Sequence, residues 1–356
     1  MRSARSLTSG KDPNTVTYRL DQLRRCSVAV DLGSARVRIH VKGSGLVVDE
    51  PSAVAVNTHT GALMAVGTGA ERMDGRTPQH IRVVRPVSNG TIVDIDMAQR
   101  MLRALLGTTM RRAWHRLRPV MRIAVTIPYN ADPLARRAAV ETLTGVGARR
   151  VELVDTPTAV GIGCGLPVGQ PEAAMVLVCG ASTTQVAVLS LGAIVAAESV
   201  PLGGNTIRHA VVQHLRNDHE LLLPSQNMQP LHLALAGAVS GSDGAEVIGR
   251  DVVTGLARTV TVDPDDVQSA IRPPVTGLLD AVRDVLHRCP PDLVADLGDR
   301  GMVLSGGSAQ LPGLDERLRA GTGMSVHIAE QPSLSAVNGL AALMEGNVEP
   351  LRIDAP

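Results

Sequence analysis

The stretch VAVDLGSARVRIHVKGSGLVVDEPSAVAV, residues 28–56, decides how this chain folds. Val28, Ala29 and Val30 form an apolar run that ends in Asp31-Leu32-Gly33-Ser34. From Val37 to Val41 apolar and polar residues alternate, the pattern of a half-buried strand. Lys42-Gly43-Ser44-Gly45 marks a turn, Leu46-Val47-Val48 begins another strand, and residues 51–56 are expected to continue the same sheet. The outcome is a β-hairpin with a carboxylate at the tip of its first strand. Small residues in its turn let backbone N–H groups approach an anion. A second such unit lies near residue 180, where Met175–Cys179 and Val186–Leu191 flank Gly180-Ala181-Ser182-Thr183-Thr184. More strands and helices follow each unit. This duplication predicts two similar α/β halves with a cleft between them.

Elsewhere the patterning predicts helices over Met97–Leu106, Pro133–Leu143, Thr158–Gly165, Ile207–Leu215 and Val275–His287. Asp132 serves as N-cap of the second, with Pro133 at its first position. Strands are expected at Arg122–Ile127, Val151–Val154 and Met302–Leu304, the last running into Ser305-Gly306-Gly307-Ser308. Residues 1–26 are polar and basic and read as a disordered tail, with a second tail at 347–356.

A chain of 356 residues exceeds one ordinary core and fits about two domains. A formal charge of +1 excludes a global attraction to nucleic acid. With no Phe, one Trp and two Tyr, the chain also lacks base-stacking platforms, so nucleic acid is not expected as a partner. Cys26, Cys164, Cys179 and Cys289 form no CxxC pair, which argues against a zinc site. Three of them read as buried thiols, suited to a reducing cytoplasm. No secretory h-region and no stretch of about 18 uncharged apolar residues is present.

Six blocks, at 28–56, 65–96, 135–168, 175–195, 201–211 and 288–318, resemble in order the MreB branch of the sugar kinase, heat-shock-70 and actin superfamily. The resemblance spans about Val28 to Leu343. It implies an actin-like ATPase fold of two duplicated RNase H-like α/β domains around an interdomain nucleotide cleft. Domain I would cover 27–168 with a small insertion at about 57–85. Domain II would cover 169–346 with an insertion at about 206–298. It further implies ATP or ADP with Mg²⁺ as ligands where the site is functional.

Carried onto this sequence, the family's first phosphate motif, DLGTA, becomes Asp31-Leu32-Gly33-Ser34-Ala35, followed by Arg36; Asp31 is its magnesium-side carboxylate. The second, DIGGGTTE, becomes Val178-Cys179-Gly180-Ala181-Ser182-Thr183-Thr184-Gln185. Its metal-organising Asp is replaced by Val178, which cannot touch a hydrated cation. Ala181 and Ser182 replace glycines, and their Cβ atoms are expected to oppose positive φ and crowd a phosphate. The interdomain EEP motif becomes Asp155-Thr156-Pro157. Thr156 replaces the water-positioning Glu and is no general base near neutral pH, a loss worth about 10²–10⁴-fold. Asp155 is adjacent but expected to point away. On the base-side helix, the family's Lys, Glu and I-G-S-A turn become His232, Ala234 and Leu235-Ala236-Gly237-Ala238, which implies loss of the polar adenosine contacts. Gly203-Gly204 and the nucleoside loop Gly306-Gly307-Ser308-Ala309 survive.

The segment Met110–Pro119, with Arg111, Arg112, Trp114 and Leu117, has two readings. One is a membrane-surface loop, which the resemblance implies. The other is an exposed helix end with one packed Trp. The expected role is a filament protein in cell shape and wall assembly, peripheral at the inner face of the cell membrane. Its partners would be itself in protofilaments or an MreB paralogue, the membrane surface, and wall-synthesis and shape proteins. The rivals are a slow Mg-ATPase filament that relies on Asp31, and a regulatory module docking on a true MreB.

Overall fold

The computed structural model describes residues 20–109, 121–223 and 244–347. β1 (Val28–Leu32), β2 (Arg36–Val41) and β3 (Gly45–Pro51) form an antiparallel meander. The sheet does not continue through residue 56, as the patterning had suggested. β4 (Val54–Asn57) instead pairs with β5 (Leu63–Val66) and β6 (Ile81–Val84) in a separate small sheet. Pro51 has no N–H with which to extend the ladder. Ser52 then turns the chain, donating its N–H to the Ala35 carbonyl and its hydroxyl to that of Gly33.

A short hairpin, β7 (Val87–Ser88) and β8 (Thr91–Ile92), leads into the helix Ile95–Thr109. β9 (Arg122–Ile127) lies parallel to β1, and β10 (Arg150–Asp155) parallel to β9. The helix Pro133–Val146 makes that crossover. Its start is as predicted: Asp132 Oδ1 accepts the Ala135 N–H at 2.6 Å, with Pro133 in the first turn.

The second half repeats this plan. β11 (Ala174–Cys179), β12 (Thr184–Ser190) and β13 (Ala193–Val200) form the meander. β14 (Leu221–Leu222), β15 (Ala245–Asp251) and β16 (Ala257–Val262) make a small side sheet. β17 (Met302–Ser305) adds parallel to β11, and β18 (Val326–Ile328) to β17. The main sheets therefore share one topology, β10-β9-β1-β2-β3 and β13-β12-β11-β17-β18. Even the bulge recurs: the register slips opposite Val47 in one sheet and opposite Val195 in the other.

Each main sheet carries its own apolar core. Between them lie the helices Thr156–Gly163 and Ser335–Glu345. They cross backbone to backbone, because a Cβ at Gly163 would overlap the Ser335 carbonyl and one at Gly339 that of Ala159. Only glycine permits that approach.

Three local expectations need correction. Order begins before Ser27: Leu20–Leu23 form a helical turn, and Leu23 and Cys26 are buried against the helix Ser335–Glu345. Lys42 Nζ fastens this corner by donating to the carbonyls of Arg24 and Met344. The last long helix starts at Pro264, not near Val275, and runs to Arg288 through Pro273 and Pro274. Its first half packs Val267 and Ile271 into the core of the side sheet, and its second half packs Val275, Leu278 and Val282 into that of the main sheet. Burial at both ends outweighs the two bonds the prolines forgo. Finally, β2 is not half-exposed. Arg38 is only 8% accessible.

Candidate functional site

The two hairpin turns face each other across a cavity of about 610 Å³. They are built alike. Gly33 N–H donates to the Arg36 carbonyl at 3.0 Å, and Gly180 N–H to that of Thr183 at 2.9 Å. In each turn the glycine carbonyl is taken from outside. Ser52 Oγ donates to Gly33 O; Gly204 N–H and Ser308 Oγ donate to Gly180 O. The N–H groups of Ser34, Ala35, Ala181 and Ser182 have no acceptor among the described residues. Both turns thus present backbone donors at the cavity, the arrangement that receives an anion.

Ala181 and Ser182 do not carry positive φ. The expected backbone penalty of their Cβ atoms is therefore absent, and the second turn keeps the shape of the first.

The side chains at the strand tips differ. Asp31 pairs across the sheet with Arg38, and Arg38 with Asp49. Asp31 Oδ1 accepts from Thr126 Oγ1 at 2.8 Å, and Oδ2 lies 3.6 Å from Arg38 Nη1. Arg38 Nε lies 3.3 Å from Asp49 Oδ1, which also accepts from Arg36 Nε at 2.6 Å. Burial raises the Asp31 carboxyl above its ordinary range, against the opposing pull of Arg38 and the Thr126 hydroxyl. In the second half Val178 pairs with Gln185, Gln185 with Ser199, and Val178 with Ser305. Among the described residues lining the cavity, Asp31 is the one carboxylate, against the guanidinium groups of Arg36, Arg38 and Arg208.

Gln185 Oε1 accepts the Tyr129 N–H at 2.8 Å, so this side chain joins one half to the other at the floor of the cleft. Thr156 also lines the cavity, with its hydroxyl donating to the Ile127 carbonyl at 3.0 Å. Asp155 ends β10 and is buried outside the cavity lining. Gly306, at φ 91°, sits so close to Cys179 that a Cβ would overlap its carbonyl. Gly307 and Ser308 follow in a single 3₁₀ turn at the cavity wall, while Ala309 and Gly203 are buried and do not line it.

The structure thus gathers Asp31, Gly33, Ser34, Ala35, Arg36, Gly180, Ala181, Ser182, Thr183, Gly204, Gly306, Gly307 and Ser308 around one space. Sequence reasoning missed Arg38 and Arg208 in this wall. The signal for Arg38 was its place directly opposite Asp31, two residues past the turn. His232, Ala234 and the residues 235–238, with Arg111, Arg112, Trp114 and Leu117, lie outside the described residues.

Two halves of one topology, each presenting a tight turn to a shared cavity, define an actin-like fold. The MreB/Mbl protein family profile matches residues 25–351, and the chain belongs to that family. It is 36% identical over 324 residues to the cell shape-determining protein MreB of Escherichia coli strain K12, covering 89% of this chain and 93% of that protein. To the cell shape-determining protein Mbl of Bacillus subtilis strain 168 it is 33% identical, covering 89% and 95%. The crystal structure of MreB 5 of Spiroplasma citri bound to AMPPNP shares its fold with a TM-score of 0.83 at 24% identity, covering 90% of this chain and 96% of that one. The same protein bound to ADP matches equally. Among the described residues, no helix is long and apolar enough to cross a membrane.

Proposed function

We propose that this chain is an actin-like cytoskeletal subunit acting in cell shape determination and wall assembly, whose cleft holds ATP or ADP but hydrolyses ATP weakly or not at all. The role in shape rests on the named relatives. Nucleotide binding rests on the paired turns, with Ser34, Ala35, Ala181 and Ser182 offering N–H groups to phosphates and Gly306-Gly307-Ser308 walling the nucleoside side. The observation that carries the loss of turnover is the neutral second row. Val178 offers a metal nothing, and Thr156 spends its hydroxyl on a backbone carbonyl. Phosphoryl transfer depends on positioning and charge stabilisation, so losing both groups removes most of what the site could supply.

Head-to-tail self-association would make open filaments. Location at the inner membrane face rests on Arg111, Arg112, Trp114 and Leu117, where Trp favours the interface and Arg favours anionic lipid.

The test is sedimentation with electron microscopy under ATP, ADP or no nucleotide, with and without anionic vesicles. Filaments that pellet equally with ATP and ADP are expected, together with vesicle binding that Trp114→Ser/Leu117→Ser abolishes. Pelleting that decays as ATP is consumed would establish the active-ATPase rival. No pelleting in any condition would leave the regulatory partner of an active relative.

A further inference from the structure

We propose that this cleft binds the phosphates of a nucleoside di- or triphosphate without a divalent cation, and that the Arg38 guanidinium supplies the positive charge a metal ion would bring. The inference rests on the reading of the cleft as a nucleotide site and specifies the ionic form of its ligand.

Magnesium does not fit the donors present. It takes near-octahedral oxygen ligation, held by carboxylates directly or through water. The second turn provides Val178 where the fold could place a carboxylate, and Gln185 is committed to Tyr129. In the first turn both oxygens of Asp31 are engaged, one by Thr126 and one by Arg38. A dication at Asp31 would therefore sit beside a fixed guanidinium in a buried site, where like charges are poorly screened.

Arg38 is itself the better counter-ion. It presents a planar guanidinium fork that matches phosphate oxygens. It is held by carboxylates on both sides, Asp31 and Asp49, while its buried Nε makes no hydrogen bond. Its side chain is 10% accessible and lines the cavity. With Arg36 and Arg208 in the same wall and one carboxylate opposing them, the described lining carries a formal excess of two positive charges, three minus one. That balance suits a metal-free polyphosphate better than a magnesium complex.

Calorimetric titration of the full chain with ATP and with ADP, in EDTA and in excess Mg²⁺, tests this directly. Wild-type affinity should agree within about twofold between the two conditions. Arg38→Met should weaken binding in EDTA on the order of tenfold or more, the loss of a charge-assisted contact. Arg38→Lys keeps a cation beside Asp31; it should bind a few-fold more weakly, about 3–5-fold, and remain indifferent to metal. Thermal melts establish that each variant is folded, and Arg38→Lys carries the test should Arg38→Met not fold. Binding that EDTA abolishes and Mg²⁺ restores would overturn this inference while leaving the nucleotide site intact. Unchanged affinity in both Arg38 variants would remove Arg38 from the role. No binding under either condition would overturn the inference and the nucleotide reading together.

Discussion

Across the first sheet, the strand tips read Asp49–Arg38–Asp31–Thr126; across the second, the matching positions read Ser199–Gln185–Val178–Ser305. The backbones beneath share the strand order and the turn hydrogen bond, and each third strand bulges at its third residue, Val47 or Val195. One row is a chain of alternating charges and the other is neutral. The fold evidently does not need the charges, because the uncharged row supports an identical turn. Both sheets form with either row of side chains at their tips. The first row sets a carboxylate and a guanidinium side by side at the cavity, and the second sets neither there.

The largest way to break this comparison is to remove the cation. Arg38→Met leaves the Asp31 carboxylate, 14% exposed, without its ion-pair partner, while the exposed Asp49 keeps Arg36, and it should cost about 3 kcal/mol in chemical denaturation. Adding Asp31→Asn should return more than half of that loss, since the stranded carboxylate is then neutral. The pH dependence has a definite sign. Burial already holds the folded Asp31 carboxyl above its ordinary value, so the folded state binds this proton more tightly than the unfolded one. Its contribution is greatest at acidic pH and declines as pH rises through the folded value. Removing Arg38 raises that value further, so the Arg38→Met penalty should be smaller at acidic than at alkaline pH.

At the matching position of the neutral row, Gln185→Met removes one hydrogen bond to Tyr129 and should cost only about 1 kcal/mol. An equal penalty at both positions would erase the distinction between the rows. The turns provide a finer contrast. Ser34 Oγ accepts the Gly90 N–H at 3.0 Å, whereas Ser182 Oγ has only an exposed, long contact of 3.4 Å from Asn205. Ser34→Ala should lower stability by about 0.5–1.5 kcal/mol and Ser182→Ala by less than about 0.5 kcal/mol. Cys179, at the position matching Leu32, should show no effect at all in the native state. Its thiol, like that of Cys26, is pushed up to about 12, chiefly by burial. Mass spectrometry after brief alkylation should find Cys164 modified first, with Cys26 and Cys179 untouched until unfolding.

Local signals made much of this fold legible. The two hairpins are contiguous in sequence, and Asp132-Pro133 marks a helix start by chemistry acting within four residues. What was not legible depends on partners far away in the chain. Arg38 looked solvent-facing because alternation records one face of β2, while Asp31 and Asp49 bury it from neighbouring strands. The amphipathic pattern showed only the half of the last long helix from Val275, while two separate cores grip that helix on either side of Pro273-Pro274. That Val178 stands where the first hairpin has Asp31 could be read directly. That Arg38 pairs with the surviving carboxylate required the cross-strand register.

The central claim is that the second row has lost its chemistry while keeping its shape, and phosphate release from ATP on the purified chain tests it most directly. The account predicts release no faster than the protein-free control for the wild type, with turnover gained when Val178→Asp and Thr156→Glu are introduced together. Steady release by the wild type that Asp31→Ala abolishes would contradict it and make this a working ATPase.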